Sequence, residues 1–274
     1  MMRLEIQNVS CGYHGKAVVK GFSTSIDSGS VLCLLGPNGI GKTTLFKAVL
    51  RLNPIITGKV VIDGRDVQDF SDIEFAKLVG YVPQSHVPPF SFKVVDVVAM
   101  GRTAHLRTFE MLGRHDMEIA AECLDRLEVG HLAKRAYTEL SGGERQLVLI
   151  ARALAQQPRF IMMDEPTSNL DFGNQVRVLR VIRRLAADGY AVVMTTHSPD
   201  HVFQCNGQVS LMTKDHQYLH GSAAEVLTPP NLKRAYDIDV AVFEAEYKGH
   251  RHHCVQPIEN IAPIPISEEE GNRQ

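Results

Sequence analysis

A glycine-rich segment has the residue types of a phosphate-binding loop. Residues 36–43 read GPNGIGKT, which fits GxxxxGK followed by Ser or Thr, and they lie between an apolar run and a helical pattern. Glycines let backbone N–H groups converge on phosphate oxygens, and the start of a helix adds partial positive charge. Lys42 supplies a charge for the β and γ phosphates, and the Thr43 hydroxyl is a ligand for Mg²⁺. We therefore predict that nucleotide is bound by Gly36, Pro37, Asn38, Gly39, Gly41, Lys42, Thr43 and Thr44.

Two adjacent carboxylates follow a short apolar run further along the chain. Asp164 and Glu165 come directly after residues 160–163, FIMM, a run with the length of a buried strand. Acids at the C-terminal end of a strand in a parallel sheet lie where ligands bind. Asp164 is predicted to hold Mg²⁺ through water. Glu165 is predicted to polarise a water molecule in line with the γ-phosphate, as the catalytic base.

Composition restricts the class of protein. The 274 residues, 44% of them hydrophobic, are enough for a sizeable core, and the net charge of −2 gives no general case for binding nucleic acid. No apolar run approaches the roughly 20 residues that span a bilayer, and the acidic Glu5 argues against a signal peptide. The five cysteines lack paired spacing, which favours reduced thiols in a cytosolic protein. Any role at a membrane is therefore expected to depend on a partner.

Strand and helix patterns predict an α/β fold with a mostly parallel sheet. Residues 3–10 and 17–26 are typical of strands in an N-terminal antiparallel sheet. Strand and helix alternate from 160 to 195, which implies parallel strands. Between these parts, from about 85 to 158, a proline loop at 88–89 is followed by helical patterns. We therefore predict a helical subdomain inserted in the α/β core.

The heptapeptide at 140–146, LSGGERQ, resembles the signature motif of the ATP-binding cassette (ABC) family almost letter for letter. The resemblance covers roughly residues 3–225 and includes the family's short motifs in order. Ile40 and Asn169 depart from it, because the family usually has small residues at both positions. The resemblance implies the P-loop NTPase core of an ABC ATPase, which binds ATP with Mg²⁺ and hydrolyses the ATP.

The resemblance also assigns roles to residues that carry little information alone. Tyr13 matches the aromatic residue that stacks on adenine, and Gln84 matches the Q-loop glutamine, which contacts Mg²⁺ or the attacking water. Asp171 belongs to the segment that matches the D-loop and is expected at the nucleotide, and His197 matches the switch histidine that contacts the γ-phosphate. Gln84 and His197 thus join Glu165 as expected catalytic residues, and Gln84 joins the expected Mg²⁺ ligands.

The signature segment also has a local interpretation. Ser141 is a natural N-cap with Glu144 three residues later, so the pair is predicted to form a capping box. Gly142 and Gly143 leave backbone N–H groups exposed at a helix start, which binds anions well. The resemblance implies that this anion is the γ-phosphate of an ATP held by the phosphate loop of a second copy. Two chains would then pack head to tail around two ATP molecules.

The kind of ABC protein is indicated by what accompanies these motifs. The sequence has one phosphate loop and one signature, with neither a second cassette nor a long coiled coil, which favours a detached ATPase subunit of a bacterial transporter. Residues 89–105, PFSFKVVDVVAMGRTAH, resemble the V-x-D-V-V-x-x-G-R-x-P-H stretch of the iron-chelate and cobalamin (type II) importers, with Ala104 in place of proline. The resemblance implies import of a metal chelate: ferric siderophore, haem, cobalamin or molybdate. An ABC exporter ATPase and a soluble regulatory ABC ATPase remain alternatives.

The implied partners follow from this assignment. They are a second copy in a head-to-tail dimer, a multi-span membrane permease that is itself a dimer and, indirectly, a periplasmic or surface substrate-binding protein, with no nucleic acid. The implied location is peripheral, on the cytoplasmic face of the inner membrane. We divide the chain into an ABC ATPase domain at 1–240 and a C-terminal extension at 241–274, whose acidic tail at 267–274 is predicted to be disordered.

Two further clusters of polar residues have competing interpretations. His250–Cys254, HRHHC, could bind a metal, but it has neither helical spacing nor a second group of ligands. We predict a polar surface loop there. Arg102, Arg107 and Arg114 in the insertion are predicted to form a solvated or docking surface rather than a phosphate site.

Overall fold

The computed structural model describes residues 2–84, 91–107 and 109–258. Its strands are β1 (Arg3–Tyr13), β2 (Lys16–Asp27), β3 (Val31–Leu35), β4 (Ile55–Ile62), β5 (Arg65–Asp66), β6 (Val79–Val82), β7 (Phe160–Met163), β8 (Ala191–Thr196), β9 (Gln208–Met212), β10 (Tyr218–Ser222), β11 (Val240–Tyr247) and β12 (His250–Pro257). Its α-helices are α1 (Lys42–Val49), α2 (Asp72–Leu78), α3 (Val94–Ala99), α4 (Arg114–Arg126), α5 (Gly142–Ala155), α6 (Phe172–Ala187), α7 (Pro199–Cys205), α8 (Ala223–Val226) and α9 (Pro229–Tyr236). The predicted loop at 88–89 and the predicted tail at 267–274 lie outside the described residues.

The central sheet is mostly parallel, as predicted. Its strand order is β10-β9-β3-β8-β7-β6, and only β10 is antiparallel to its neighbour among the described pairs. Side chains of β3 alternate between two apolar clusters: Leu32 and Leu34 join the cluster with the N-terminal strands and α1, whereas Val31, Cys33 and Leu35 join the cluster with α5 and α6. Both faces are covered, which explains the continuous apolar run. Since parallel strands end at one edge, the segments after β3, β6, β7 and β8 meet there.

A second sheet covers one face of the central sheet. It is antiparallel, with the order β2-β1-β4-β5, which confirms the predicted N-terminal subdomain. Phe22 of β2 and Phe46 of α1 are fully buried in the cluster between the two sheets. Burial of such large side chains fixes α1, and with it the loop that precedes α1, against the sheet. Among the described residues, no helix combines the length and the apolar composition required to cross a membrane.

The predicted helical insertion is present, but one of its arginines is not where the sequence placed it. Helices α3, α4 and α5 pack against one another. Arg102 is 6% exposed and pairs with Asp116, with 3.1 Å between Nε and Oδ1. It also donates hydrogen bonds to the carbonyl of Ala155 and to Oε1 of Gln157, both at 2.9 Å. The predicted solvated role of Arg102 is therefore wrong, because the carbonyls at the end of α5 need donors and Arg102 supplies them.

The other two arginines of that cluster behave differently from Arg102. The side chain of Arg114 is 93% exposed and pairs only with Glu118 one turn along the same helix, at 3.0 Å. Arg107 is also exposed. For these two residues the predicted solvated surface is confirmed.

The C-terminal part of the described chain forms a hairpin of β11 and β12. His250–Cys254 lies in β12, paired antiparallel with β11, so the predicted surface loop is wrong. His253 stacks on Phe203 of α7 at 4.8 Å between ring centroids, and the N–H of Val255 donates to Asp200 at 3.0 Å. The strand is thus fixed by packing on α7 rather than by an apolar pattern of its own. No group of three potential metal ligands occurs among the described residues.

Candidate active site

The loop after β3 requires glycine at two positions. Gly36 and Gly41 have φ of 156° and 111°, which favour glycine. A Cβ on Gly36 would lie 2.8 Å from the carbonyl oxygen of Met212, and one on Gly41 would lie 2.7 Å from a methyl of Val19. The Ile40 side chain packs against the apolar cluster beside the N-terminal sheet, as expected if it points away from bound phosphate. The loop therefore approaches the sheet too closely for any side chain at these glycines.

Lys42 occupies the centre of this loop. It is 5% exposed, and its Nζ donates to the carbonyls of Gly36 at 2.6 Å and Pro37 at 3.0 Å. Burial lowers the pKa of this ammonium, and the carboxylates of Glu165 and Asp164 oppose the shift. A buried cation enclosed by backbone groups is suited to bind an anion, and the exposed Asn38, Gly39 and Thr43 form the rim of the loop.

Tyr13 lies beside the same loop. Its side chain remains 46% exposed, and its hydroxyl accepts a hydrogen bond from the buried Thr44 at 3.5 Å. The hydrogen bonds from Thr44 and Asn53 lower the pKa of the Tyr13 phenol. An exposed ring held next to a phosphate loop is available for stacking on a planar base.

The two acids after β7 are held in different ways. Asp164 is buried, and its Oδ1 accepts a hydrogen bond from the Thr195 hydroxyl at 2.7 Å. The same hydroxyl accepts from the N–H of Glu165 at 2.8 Å. Glu165 has a left-handed backbone, with φ of 44°, which is uncommon for a residue with a side chain. This bend turns the second carboxylate away from the direction of the strand, while Thr195 fixes the first.

Gln84 and His197 both lie against Glu165. The amide of Gln84, after β6, donates to Glu165 Oε2 at 3.2 Å and to Ser168 Oγ at 3.0 Å. His197, after β8, has its Nδ1 3.9 Å from the same Oε2, and its side chain is 54% exposed. The tertiary structure therefore brings together the predicted base, glutamine and histidine from the ends of three neighbouring strands.

His201 is a buried member of this neighbourhood that the sequence interpretation missed. Its Nδ1 lies 2.9 Å from the Thr196 hydroxyl and 3.4 Å from the Thr167 hydroxyl. Burial, with a smaller contribution from His197, lowers its pKa to about 4. The ring is therefore neutral near pH 7 and joins the loops after β7 and β8. Its spacing of four residues from His197 was the available signal.

The signature residues make no described hydrogen bond to the residues of this cluster. Ser141 Oγ accepts from the N–H of Glu144 at 3.3 Å, and Glu144 Oε2 accepts from the N–H of Ser141 at 2.8 Å, so the predicted capping box is confirmed. Ser141 and Gly142 are exposed, whereas Gly143 is buried against Asn174. Among the described residues, no hydrogen bond joins Ser141 to the phosphate loop.

Asp171 marks the start of α6, close to the signature helix. Its two carboxylate oxygens accept from the backbone N–H of Asn174 at 2.8 Å and from the Asn174 side chain at 2.7 Å. A Cβ on Gly143 would lie 2.2 Å from Oδ1 of the same asparagine. The start of α6 and the start of α5 are thus in direct contact, with Asp171 on the surface beside them.

The fold and this site define a P-loop nucleotide-binding protein. The model of the ABC transporter family matches residues 19–168, and the chain belongs to that family. It is 40% identical over 250 residues to an uncharacterized ABC transporter ATP-binding protein of Haemophilus influenzae, covering 91% of this chain and 95% of that protein. It is 36% identical over 247 residues to the molybdate import ATP-binding protein MolC of the same organism, covering 89% and 92%.

A solved structure gives the same result. A structure described as an inward-facing, metal-chelate type ABC transporter matches with a TM-score of 0.85 and 34% identity, over 95% of this chain and 99% of that chain. The predicted ABC ATPase fold is therefore confirmed. Subunits of this family bind and hydrolyse ATP to drive transport, and they work as dimers with a membrane permease.

Proposed function

We propose that this chain powers the import of a metal chelate or a related metal oxoanion through a separate membrane permease. The observation that carries the proposal is the similarity of this chain to the metal-chelate type transporter over nearly its whole length. In the ATP site, residues that would activate water gather around Glu165, while the signature residues Ser141 and Gly142 are exposed and make no described hydrogen bond to that cluster. This supports a composite site in which the exposed signature residues of one copy would bind the ATP held by the phosphate loop of a second copy.

Within one half, each side chain has a role that its contacts support. Lys42 and the N–H groups of its loop would bind the β and γ phosphates, which replace the carbonyl partners of the ammonium. Glu165 would accept a proton from the attacking water, because its carboxylate is held by Gln84 and faces the imidazole of His197. His197 would donate a hydrogen bond to the γ-phosphate. Tyr13 would stack on adenine.

The residues present fit a magnesium ion. Thr43 offers a hydroxyl at the start of α1, Asp164 offers a buried carboxylate and Gln84 offers an amide oxygen, which are the hard oxygen ligands that Mg²⁺ prefers. When bound, the ion would neutralise charge on the β and γ phosphates. The hydrogen bond from Thr195 holds the Asp164 carboxylate in one orientation, so that its position does not depend on the ion.

The second half of the site supports a head-to-tail dimer. The capping box fixes Ser141 at the start of α5 with the first N–H groups of the helix near the surface. Next to Asp171, Phe172 exposes 78% of an aromatic side chain, which is unfavourable in water and favourable in a protein contact. We therefore place Ser141, Gly142 and Asp171 at the interface with the second copy, where they would contact its ATP.

An apolar groove supports docking to a permease. It lies between α2 and the 3-10 helical turn at Met100–His105, and its exposed apolar side chains include Leu52 at 61%, Ile73 at 58% and Met100 at 37%. Such a patch indicates a protein contact. The groove includes residues of the 89–105 stretch that resembles type II importers. A cytoplasmic segment of the permease is the partner that we propose for it.

The cargo is tested with a reconstituted transporter. The chain and its permease are placed in liposomes, and ATP hydrolysis is measured with binding proteins loaded with ferric hydroxamate, haem, cobalamin or molybdate. We expect one of these four to stimulate hydrolysis, as the relatives named for molybdate import and metal-chelate transport suggest. Stimulation only by a sugar-loaded or amino-acid-loaded binding protein would contradict the proposal. Hydrolysis that no binding protein stimulates would favour an exporter.

A further inference from the structure

Tyr236, at the end of α9, lies at the ends of two neighbouring strands of the central sheet. Strands β3 and β8 pair in parallel up to Leu35 and Thr196. Beyond that pair, the Tyr236 hydroxyl donates a hydrogen bond to the carbonyl of His197 at 3.0 Å, and the backbone of Gly36 lies close enough to the phenol to oppose the rise of its pKa on burial. The phenol therefore holds the main chain of the predicted switch histidine and lies beside the first residue of the phosphate loop.

This contact of Tyr236 lies just beyond the last pair of residues that joins β3 to β8. Gly36 turns out of β3 with φ of 156°, so direct strand pairing ends there. Burial raises the pKa of the Tyr236 phenol well above its usual value, so the hydroxyl stays protonated and remains a donor. The phenol thus lies beside both chain segments one residue beyond the last pair of the two strands.

The helix that carries Tyr236 is firmly attached. Leu232 and Ala235 of α9 are buried in the main apolar cluster. Arg234 pairs with Asp215 at 2.7 Å, and Lys233 pairs with Asp239 at the same distance. A side chain at the end of an anchored helix has little conformational freedom. Tyr236 can therefore hold in place the loops that it contacts.

His197 depends on its main chain for position, because its own side chain is poorly packed. That side chain is 54% exposed, and its Nδ1 lies 3.9 Å from Oε2 of Glu165. We propose that Tyr236 is a positioning residue, which fixes the main chain of His197 relative to the phosphate loop and so places its imidazole for catalysis. The proposal rests on the proposed role of His197 at the γ-phosphate.

The test compares two substitutions that each remove one phenol hydroxyl from the full chain. Tyr236→Phe removes the hydrogen bond to His197, and the control Tyr218→Phe removes a hydroxyl that accepts from the N–H of Lys20 at 3.1 Å. We expect Tyr236→Phe to lower kcat by about tenfold, since displacement of a catalytic group by 1 Å can cost as much as about 100-fold. We expect ATP affinity to change by less than about threefold, and the control to keep wild-type kcat.

A second comparison separates positioning from stability. In a His197→Ala background, Tyr236→Phe is expected to leave the residual single-turnover rate unchanged, because residues that act through one another are not additive. A wild-type kcat in Tyr236→Phe would overturn the proposal. So would a Tyr236→Phe substitution that lowers the rate by the same factor in the wild-type and the His197→Ala backgrounds. A lower Tm combined with normal kcat would assign the phenol a structural role only. Absence of ATP hydrolysis by the wild-type chain would instead reject the proposed function.

Discussion

The side-chain amide of Gln84 donates a hydrogen bond to Oε2 of Glu165, across 3.2 Å between the ends of β6 and β7. The imidazole of His197 approaches the same oxygen from β8. Two segments that are far apart in the sequence thus approach one carboxylate oxygen of a third. This convergence makes the function of Glu165 directly testable, because a change at that carboxylate should affect turnover far more than folding.

Glu165→Gln is expected to abolish hydrolysis while ATP still binds. Glutamine keeps the shape of the side chain but cannot take a proton from water, so turnover should fall by about 100-fold or more. ATP should then hold two copies together, and size-exclusion chromatography with and without ATP measures that dimer. Turnover near the wild-type rate would remove Glu165 from the role of base.

Lys42→Ala is expected to weaken nucleotide binding. The loss of a buried, charged donor to phosphate should raise the Kd for ATP by about 10- to 100-fold. Isothermal titration calorimetry measures this change, with Lys77→Ala on the exposed face of α2 as the control. Unchanged ATP affinity would show that Lys42 does not contact phosphate.

Ser141→Arg is expected to block turnover without affecting ATP binding by one chain. The added side chain would occupy the surface where the second copy's ATP is expected, and Ser141 is exposed, so folding should tolerate it.

A mixture of two inactive variants tests this composite site further. In a head-to-tail dimer of Ser141→Arg and Lys42→Ala chains, one ATP site combines an intact phosphate loop with an intact signature. The mixture should therefore recover hydrolysis that neither variant shows alone. If Ser141→Arg by itself hydrolyses ATP normally, the site is not shared between two copies.

His201 should make the protein less stable as the pH falls. Its pKa is about 4 when folded, below the ordinary value of 6.5, so the unfolded chain binds more protons between these values. Stability is then fully present above about pH 6.5 and is lost on acidification towards pH 4, by up to about 3 kcal/mol in the free energy of unfolding. His201→Gln keeps an acceptor for the threonine hydroxyls and should flatten this dependence. Equal slopes of Tm against pH for both proteins would contradict the prediction.

Arg102→Ala should destabilise the helical subdomain strongly. It leaves the Asp116 carboxylate without its buried partner and the carbonyl of Ala155 without a donor, which costs about 3–5 kcal/mol. The control Arg114→Ala removes an exposed pair and should cost less than about 1 kcal/mol. Urea unfolding measures both. Similar losses for the two variants would mean that the buried pair contributes no more than a surface pair.

The sequence by itself determined the chemistry of the phosphate loop and the main strands. Residues 36–43 and the pair Asp164 and Glu165 are informative because their functions need local residue types at fixed spacing. The strands β3 and β7 were predictable because both faces are covered, so every residue is apolar. The capping box at Ser141 also depends only on residues within one helical turn.

Only the tertiary structure decided which polar side chains are buried and which segments pair. Arg102 and the exposed Arg114 are the same residue type. Arg102 is buried because it lies against the end of α5, about 50 residues further along the chain. The strand β12 forms because it pairs with β11 and packs on α7. Tyr236 reaches His197 and Gly36 from the far end of the sequence. Burial and hydrogen bonding depend on distant neighbours, and local sequence carries no record of them.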